Sequence, residues 1–209
     1  MQIRNSLLTS AYRLLSNGGY MSKTVKQQIL ISGVGGQGVL FVTGLLAEAA
    51  IAKGLSVFTS ETHGMAQRGG TVVSHFKVGD FSSPLIRPFQ ADALLVLKDE
   101  NIAQHGSFLK KDGWAVVNSG NDLKIGETLT ASGVDADKLA QEIANPKSVN
   151  LIMLGFALAK AGKKSGGQIN LFCTLTDIKK VLRKKFSSRK KLLYASIKAL
   201  DTGYKNCLE

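Results

Sequence analysis

ILISGVGGQGVL, residues Ile29–Leu40, passes from apolar residues through four glycines in six positions into helix-forming residues. The apolar lead predicts a buried strand over 28–32. The glycines predict a tight turn, and 37–53 predicts a helix with apolar positions at Val39, Val42, Leu45, Leu46, Ala49 and Ala50. A strand running through glycines into a helix leaves the first helical N–H groups unpaired, which is how a chain offers donors to an anion.

Gly54 closes that helix, and Leu55–Ser60 predicts a second strand. The polar segment ETHGMAQRGG (61–70) follows as a loop, and TVVSHFKV (71–78) has the β-branched, alternating character of a third strand. Only ten residues separate Ser60 from Thr71, three of them glycine. A parallel crossover needs about a dozen residues or more, so the third strand is expected to be antiparallel or at an edge. Ala91–Leu97 predicts a fourth, buried strand, 99–110 a short helix and 114–118 a fifth strand. Beyond a Gly- and Asn-bearing stretch, helices are expected over 135–144, 150–161 (after Pro146), 176–186 and 191–202. The expected fold is α/β: a single three-layer domain with a mostly parallel sheet, a Rossmann-like glycine-loop start and antiparallel strand content.

The chain of 209 residues is long enough to bury about 70% of its unfolded surface without disulfides or metal. Its two cysteines, Cys173 and Cys207, form no CxxC or Cys/His cluster, so metal or iron–sulfur ligation by this chain alone is not expected, and a reducing cytoplasm is. No apolar run approaches a membrane span. Of the net charge of +12, residues 1–26 carry +4, 27–150 carry −2 and 151–209 carry +10. The glycine-rich centre is nearly neutral. The basic run KKVLRKKFSSRKK (179–191) lacks interleaved aromatics for base stacking, so nucleic acid is not an expected partner. Ile178, Val181, Leu182 and Phe186 keep an apolar helical stripe there, placing the lysines on the solvent side, where an acidic partner surface is the alternative. Residues 1–26 contain no acid and are read as a disordered extension, or as residues upstream of a true start at Met21; an organelle transit peptide is the other reading.

Gly33, Gly35 and Gly38 satisfy G-x-G-x-x-G, with Gly36 and Gln37 inside the motif, and Glu61 lies 23 positions beyond Gly38, where a ribose-binding acid would stand. A dinucleotide site is one reading; glycines that merely permit close packing of strand, turn and helix are another. The short 61–70 connection counts against the first. That loop carries His63, a candidate acid or base or a structural hydrogen-bonding residue. It also carries Arg68 beside Gly69 and Gly70, a candidate anion contact or a loop-fixing one.

GVGGQGV, SETHGMAQRGGTVVSHFKVG, SPLI and ADALLVL together resemble the gamma component of the thiamine-dependent 2-oxoacid:ferredoxin oxidoreductases. The match is closest to the small (beta) subunit of the indolepyruvate, or arylpyruvate, branch, with GMAQRGG the telling stretch. NLIMLGFALA resembles that family's helix carrying an Asn and a Leu-Gly pair, and YASIKALDTGY its closing helix. The resemblance runs from Lys26 to Tyr204; the N-terminal extension and the basic 179–191 stretch depart from it. It implies a gamma-type catalytic domain over 27–209 in a complex that converts a 2-oxoacid, coenzyme A and oxidised ferredoxin to acyl-CoA, carbon dioxide and reduced ferredoxin. Thiamine diphosphate, Mg and iron–sulfur clusters would belong to a large partner subunit. Gly33, Gly35, Gly36, Gln37, Gly38, Arg68, Gly69 and Gly70 become candidates for coenzyme A phosphates or for subunit-interface loops. Within the family, a gamma subunit of the pyruvate, branched-chain or 2-oxoglutarate ferredoxin oxidoreductases is the alternative; an NAD(P)-binding Rossmann protein and a non-catalytic interaction module are the rival classes.

Overall fold

The structure, a computed structural model, describes residues 25–64, 70–162 and 171–208. β1 (Gln27–Val34) sends Ile29 and Ile31 to one face of a sheet and Leu30 and Ser32 to the other. α1 (Val39–Ala52) packs on the first face. It ends where Gly54, at φ +71°, donates to Ile51 O while Leu55 N returns to Ala50 O. β2 (Val57–His63) and β3 (Thr71–Val78) follow, then β4 (Ala91–Val96), α2 (Asn101–His105) with a 3₁₀ turn, and β5 (Leu109–Asn118). β6 (Leu123–Ile125), β7 (Leu129–Val134), α3 (Ala136–Glu142), α4 (Val149–Gly162), α5 (Leu175–Lys185) and α6 (Lys190–Asn206) complete the chain.

The sheet order is β2-β3-β1-β4-β5-β7-β6. Five of the seven strands point the same way; β3 and β6 oppose them. β3 is antiparallel, as the short connection requires, and it lies inside the sheet between β2 and β1. The insertion removes the second step of a doubly wound order. It also lets β2 extend to His63, paired with Val72, so 61–63 is strand where a loop was expected.

Two other expectations are corrected. The 99–110 helix is a single turn of α2 plus a 3₁₀ turn, because β5 already starts at Leu109, with a register shift between Ala91 and Ala93. The Gly- and Asn-bearing stretch folds into β6 and β7. Its strand propensity is weak, but β7 pairs in parallel with β5 from Ala115↔Ala131 to Asn118↔Val134, and tertiary pairing overrides local preference. At Gly133 a Cβ would strike the Asn121 carbonyl, so the turn can lie against the strand only there.

The first face carries the larger core: α1, α4, α5 and α6 cover Ile29, Ile31, Phe76 and Val116. Leu30, Leu94, Val96, Ala115 and Val117 form a second cluster on the opposite face, covered by Ile86, Ile102 and Phe108. α4 is buried along most of its length, and α6 packs closely on it, with Gly155 and Gly203 at the crossing. α5 behaves as its apolar stripe predicts: Ile178, Val181 and Leu182 are buried, and Lys180, Lys184 and Lys185 are exposed. A capping box of Thr174 and Asp177 starts it, and Lys53 reaches from the end of α1 to Asp177 at 2.8 Å. No described helix is long and apolar enough to cross a membrane.

Candidate functional site

After Val34 the chain turns on Gln37, which is held at both ends of its amide. Its backbone N–H donates to Val34 O (3.1 Å), Oε1 accepts from Val34 N (2.8 Å), and Nε2 donates to Leu97 O (3.1 Å). This clamp explains Gly33: a Cβ there would stand 2.8 Å from Gln37 Oε1 and 2.9 Å from Val39 Cγ2. Gly36 and Gly38 have φ of +92° and +83°, a region that disfavours L side chains. A Cβ on Gly36 would point into open space; on Gly38 it would collide with the Asn150 carboxamide at the start of α4. Gly38 caps α1 without a side-chain hydrogen bond, and the first turn contains no acid. The rim of this helix start is open, with Leu40 48% exposed.

The second motif returns to the first. Gly35 N donates to Gly70 O at 3.0 Å, and Gly64 N donates to Thr71 O at 2.7 Å, so the 64–70 segment leaves and re-enters beside the glycine turn. Arg68 and Gly69 lie outside the described residues. His63 is the last residue of β2, and Glu61, exposed, pairs with Ser74. Since β3 stands between β2 and β1, Glu61 is two strands, about 10 Å, away from the strand that carries the glycines. The Rossmann ribose arrangement, in which that acid flanks the glycine loop directly, is not formed.

Beneath the turn lies a buried polar chain that the sequence reading did not single out. Asn101 Nδ2 donates to Gly33 O (3.0 Å) and to Ser32 Oγ (2.9 Å), and Ser32 Oγ is 2.8 Å from His105 Nδ1. The carbonyl contact fixes the amide orientation. Ser32 Oγ therefore accepts from Asn101 and shares a second hydrogen bond with His105 Nδ1. Ser32 is 1% exposed, so this serine–histidine pair supports the loop and reaches no substrate. At the end of β5, Asn118 donates to Leu97 O (3.3 Å) and Asp137 (2.7 Å) and accepts from Ala136 N (3.0 Å). Leu97 O thus receives both Gln37 and Asn118. These carboxyl ends form a crevice where β1 leads to α1 on one face and β4 to α2 on the other. That reversal is where open α/β sheets take their ligands. The only advance signal for any of this was Asn150, at the head of the helix matched by resemblance; Ser32, Asn101, His105 and Asn118 are single polar residues with no spacing rule.

Burial holds the His105 imidazole below its ordinary value of 6.5. Burial first, then Lys77 and His105, does the same for His75, whose Nδ1 accepts from Ile86 N at 3.1 Å. Both shifts favour the neutral imidazole in the folded protein. As pH falls below about 6.5 the unfolded chain takes up protons that the folded one refuses, so stability is full above that value and declines below it. The limit is about 1.4 kcal/mol per pH unit for each imidazole. The thermal midpoint is therefore expected to be lower at pH 5.5 than at pH 7.5; an unchanged or higher midpoint would mean that these histidines are charged in the fold.

Among the described residues no three His, Cys, Asp or Glu gather as a metal set. Both cysteines are buried, and burial pushes the Cys173 thiol up to about 12, which opposes the thiolate that cluster ligation needs. A cavity of about 720 Å³ bordered by Ile102, Leu109, Ile125 and Leu129 lies on the second face, and its lining includes no residue of either motif.

Residues 28–206 match the sequence profile of the family described as pyruvate ferredoxin/flavodoxin oxidoreductase. Indolepyruvate oxidoreductase subunit IorB of Archaeoglobus fulgidus is 29% identical over 204 residues, 88% of this chain and 96% of that protein. The structure of pyruvate oxidoreductase subunit PORC from Thermotoga maritima superposes with a TM-score of 0.67 at 26% identity, over 86% of this chain and 96% of that one. The fold is shared with 2-oxoglutarate:ferredoxin oxidoreductase from Magnetococcus marinus, determined with 2-oxoglutarate, coenzyme A and succinyl-CoA bound. There the TM-score is 0.70 at 23% identity, over 90% of this chain and 32% of the larger one.

Proposed function

The chain belongs to the pyruvate ferredoxin/flavodoxin oxidoreductase family, and on that premise we propose that it is the small subunit of an arylpyruvate-type 2-oxoacid:ferredoxin oxidoreductase. The observation that carries the site is the hydrogen bond from Gly35 to Gly70, which makes one crevice of the two motifs. The similarity to the indolepyruvate oxidoreductase subunit over 88% of the chain supports the branch. Residues 27–209 are the gamma-type domain, 1–26 an extension to it, and the complex works in the cytoplasm.

The crevice fits an anionic part of coenzyme A. Gly36 borders open space, and α1 presents a positive helix end without a side-chain cap or a neighbouring acid. Gln37 shapes the turn from inside and Gly38 sets its exit; Arg68, two positions before Gly70 in the sequence, is the candidate cation for the same anion. The described residues do not fit thiamine diphosphate with Mg or iron–sulfur clusters, so these belong to a large partner subunit, where they supply decarboxylation and electron transfer to ferredoxin. This chain's part is to hold coenzyme A and close the site against water.

The test is the complex purified anaerobically through this chain and assayed with indolepyruvate, pyruvate, 2-oxoisovalerate and 2-oxoglutarate. An iron-containing partner and a preference of at least about tenfold in kcat/KM for the arylpyruvate are expected, a difference of about 1.4 kcal/mol in transition-state binding. A preference for another 2-oxoacid would move the chain to that branch, and a colourless chain inactive with all four would overturn the reading. Coenzyme A binding left intact by Gly36→Val and Arg68→Ala together would remove the crevice assignment alone.

A further inference from the structure

At the other end of β1, about 20 Å from the glycine turn by strand rise, three cations converge without a carboxylate. Lys77, on β3 opposite Gln28, is only 6% exposed. Its Nζ lies 4.9 Å from the centre of the Phe81 ring, and Lys26 Nζ stands 4.6 Å from the same ring. Arg87 completes the group. Burial, and then the charges of Arg87 and Lys26, hold the Lys77 ammonium below the ordinary lysine range, with no acid acting to raise it. Among the described residues none of the three enters an ion pair. The nearby Asp92 is already engaged, by Gln28 N at 2.7 Å and Lys110 at 2.6 Å.

Lys77 and Arg87 border a polar cavity of about 530 Å³ whose lining includes Gln28, Phe81, Ser82 and Ser83, and Lys26 stands beside it on the Phe81 ring. A buried ammonium facing two further cations is costly unless an anion neutralises it. Stacking on Phe81 recovers only part of that cost. Lys77 and Arg87 lie in the stretch 27–150, which is net negative, so their meeting is not a by-product of a basic chain.

We propose that Lys77, Arg87 and Lys26, with Ser82 and Ser83, form a second anion site that takes a small phosphate ester. Two or three cations with two hydroxyl donors match the charge and several acceptor oxygens of a phosphate dianion better than the single charge and two oxygens of a carboxylate. The cavity volume lies within the range of small-molecule sites, leaving room for an organic group behind the phosphate. The site is separate from the glycine crevice and independent of its assignment.

Titration calorimetry of the full chain with inorganic pyrophosphate, in low-salt buffer free of phosphate, tests this. One saturable site is expected, weakened at least about tenfold by Lys77→Gln and by Arg87→Gln, and unaffected by Lys198→Gln at an exposed position of α6. Should Lys77→Gln not fold, Arg87→Gln and Lys26→Gln carry the test, since both positions are exposed. Absence of saturable binding would overturn the proposal. So would binding that survives Arg87→Gln but is lost with Gly36→Val, which would put the anion on the glycine turn. Succinate binding as tightly as pyrophosphate would remove the phosphate assignment.

Discussion

Gly203→Ala is expected to destabilise the protein by about 3 kcal/mol, the upper part of the range for overpacking a well-filled core, lowering its thermal midpoint by roughly 6–12 °C. A methyl group at Gly203 would run into the backbone carbonyl of Ile152, and one at Gly155 into the carbonyl of Leu200. Neither obstacle is a side chain that could rotate away, so α4 and α6 must separate. α4 is the helix that fills the centre of the main core, with Ile152, Met153 and Leu154 at most 1% exposed. The loss occurs although alanine in a helix interior is intrinsically better than glycine by about 1 kcal/mol. Gly44→Ala isolates that opposing effect: Gly44 lies in the middle of α1, and a Cβ there meets nothing within 4 Å. A gain of up to about 1 kcal/mol is expected. Chemical denaturation of the three proteins measures both signs; equal stabilities for Gly203→Ala and Gly44→Ala would sink the account of the α4–α6 contact.

Gly38→Ala is expected to reduce coenzyme A-dependent activity of the complex by at least about tenfold, and to destabilise the chain by about 2 kcal/mol. Two costs add. An L residue held at φ +83° loses about 1–2 kcal/mol, and the new Cβ displaces the Asn150 carboxamide from the head of α4. Asn150→Ala vacates the steric contact but leaves the dihedral. The double variant should therefore recover stability only in part, and the double-mutant cycle separates the two terms. Gly36→Ala is the comparison: its φ is also positive, at +92°, but its Cβ meets nothing, so only the dihedral cost applies. A Gly38→Ala protein as stable and active as the original would show that the exit of the turn does not depend on Asn150.

Local chemistry made the front of the chain legible. Ile29–Leu40 reads as strand, turn and helix because burial, φ > 0 and a 3.6-residue apolar period are requirements of adjacent residues. β3 was placed at 71–78 with its own bounds for the same reason. The count of ten residues, too few for a parallel crossover, reduced β3 to an antiparallel or an edge strand, and it is antiparallel. The apolar stripe of α5 is likewise short-range.

Tertiary structure alone decided the rest. β3 entered the sheet between β1 and β2 instead of at its edge, and that insertion, not the motif, separates Glu61 from the glycine strand. β6 and β7 exist because β5 offers an unpaired edge; LKI and LTASGV do not announce themselves without it. The polar chain joins Ser32 to Asn101 and His105, about 70 positions on, and Lys26 meets Lys77 and Arg87, roughly 50 to 60 positions on. The sequence by itself determined the elements and the glycine turn, because backbone conformation and burial pattern depend on near neighbours. Which strands lie side by side, which cations meet and which glycines let two helices touch depend on contacts between distant segments, and only the packed chain brings those into being.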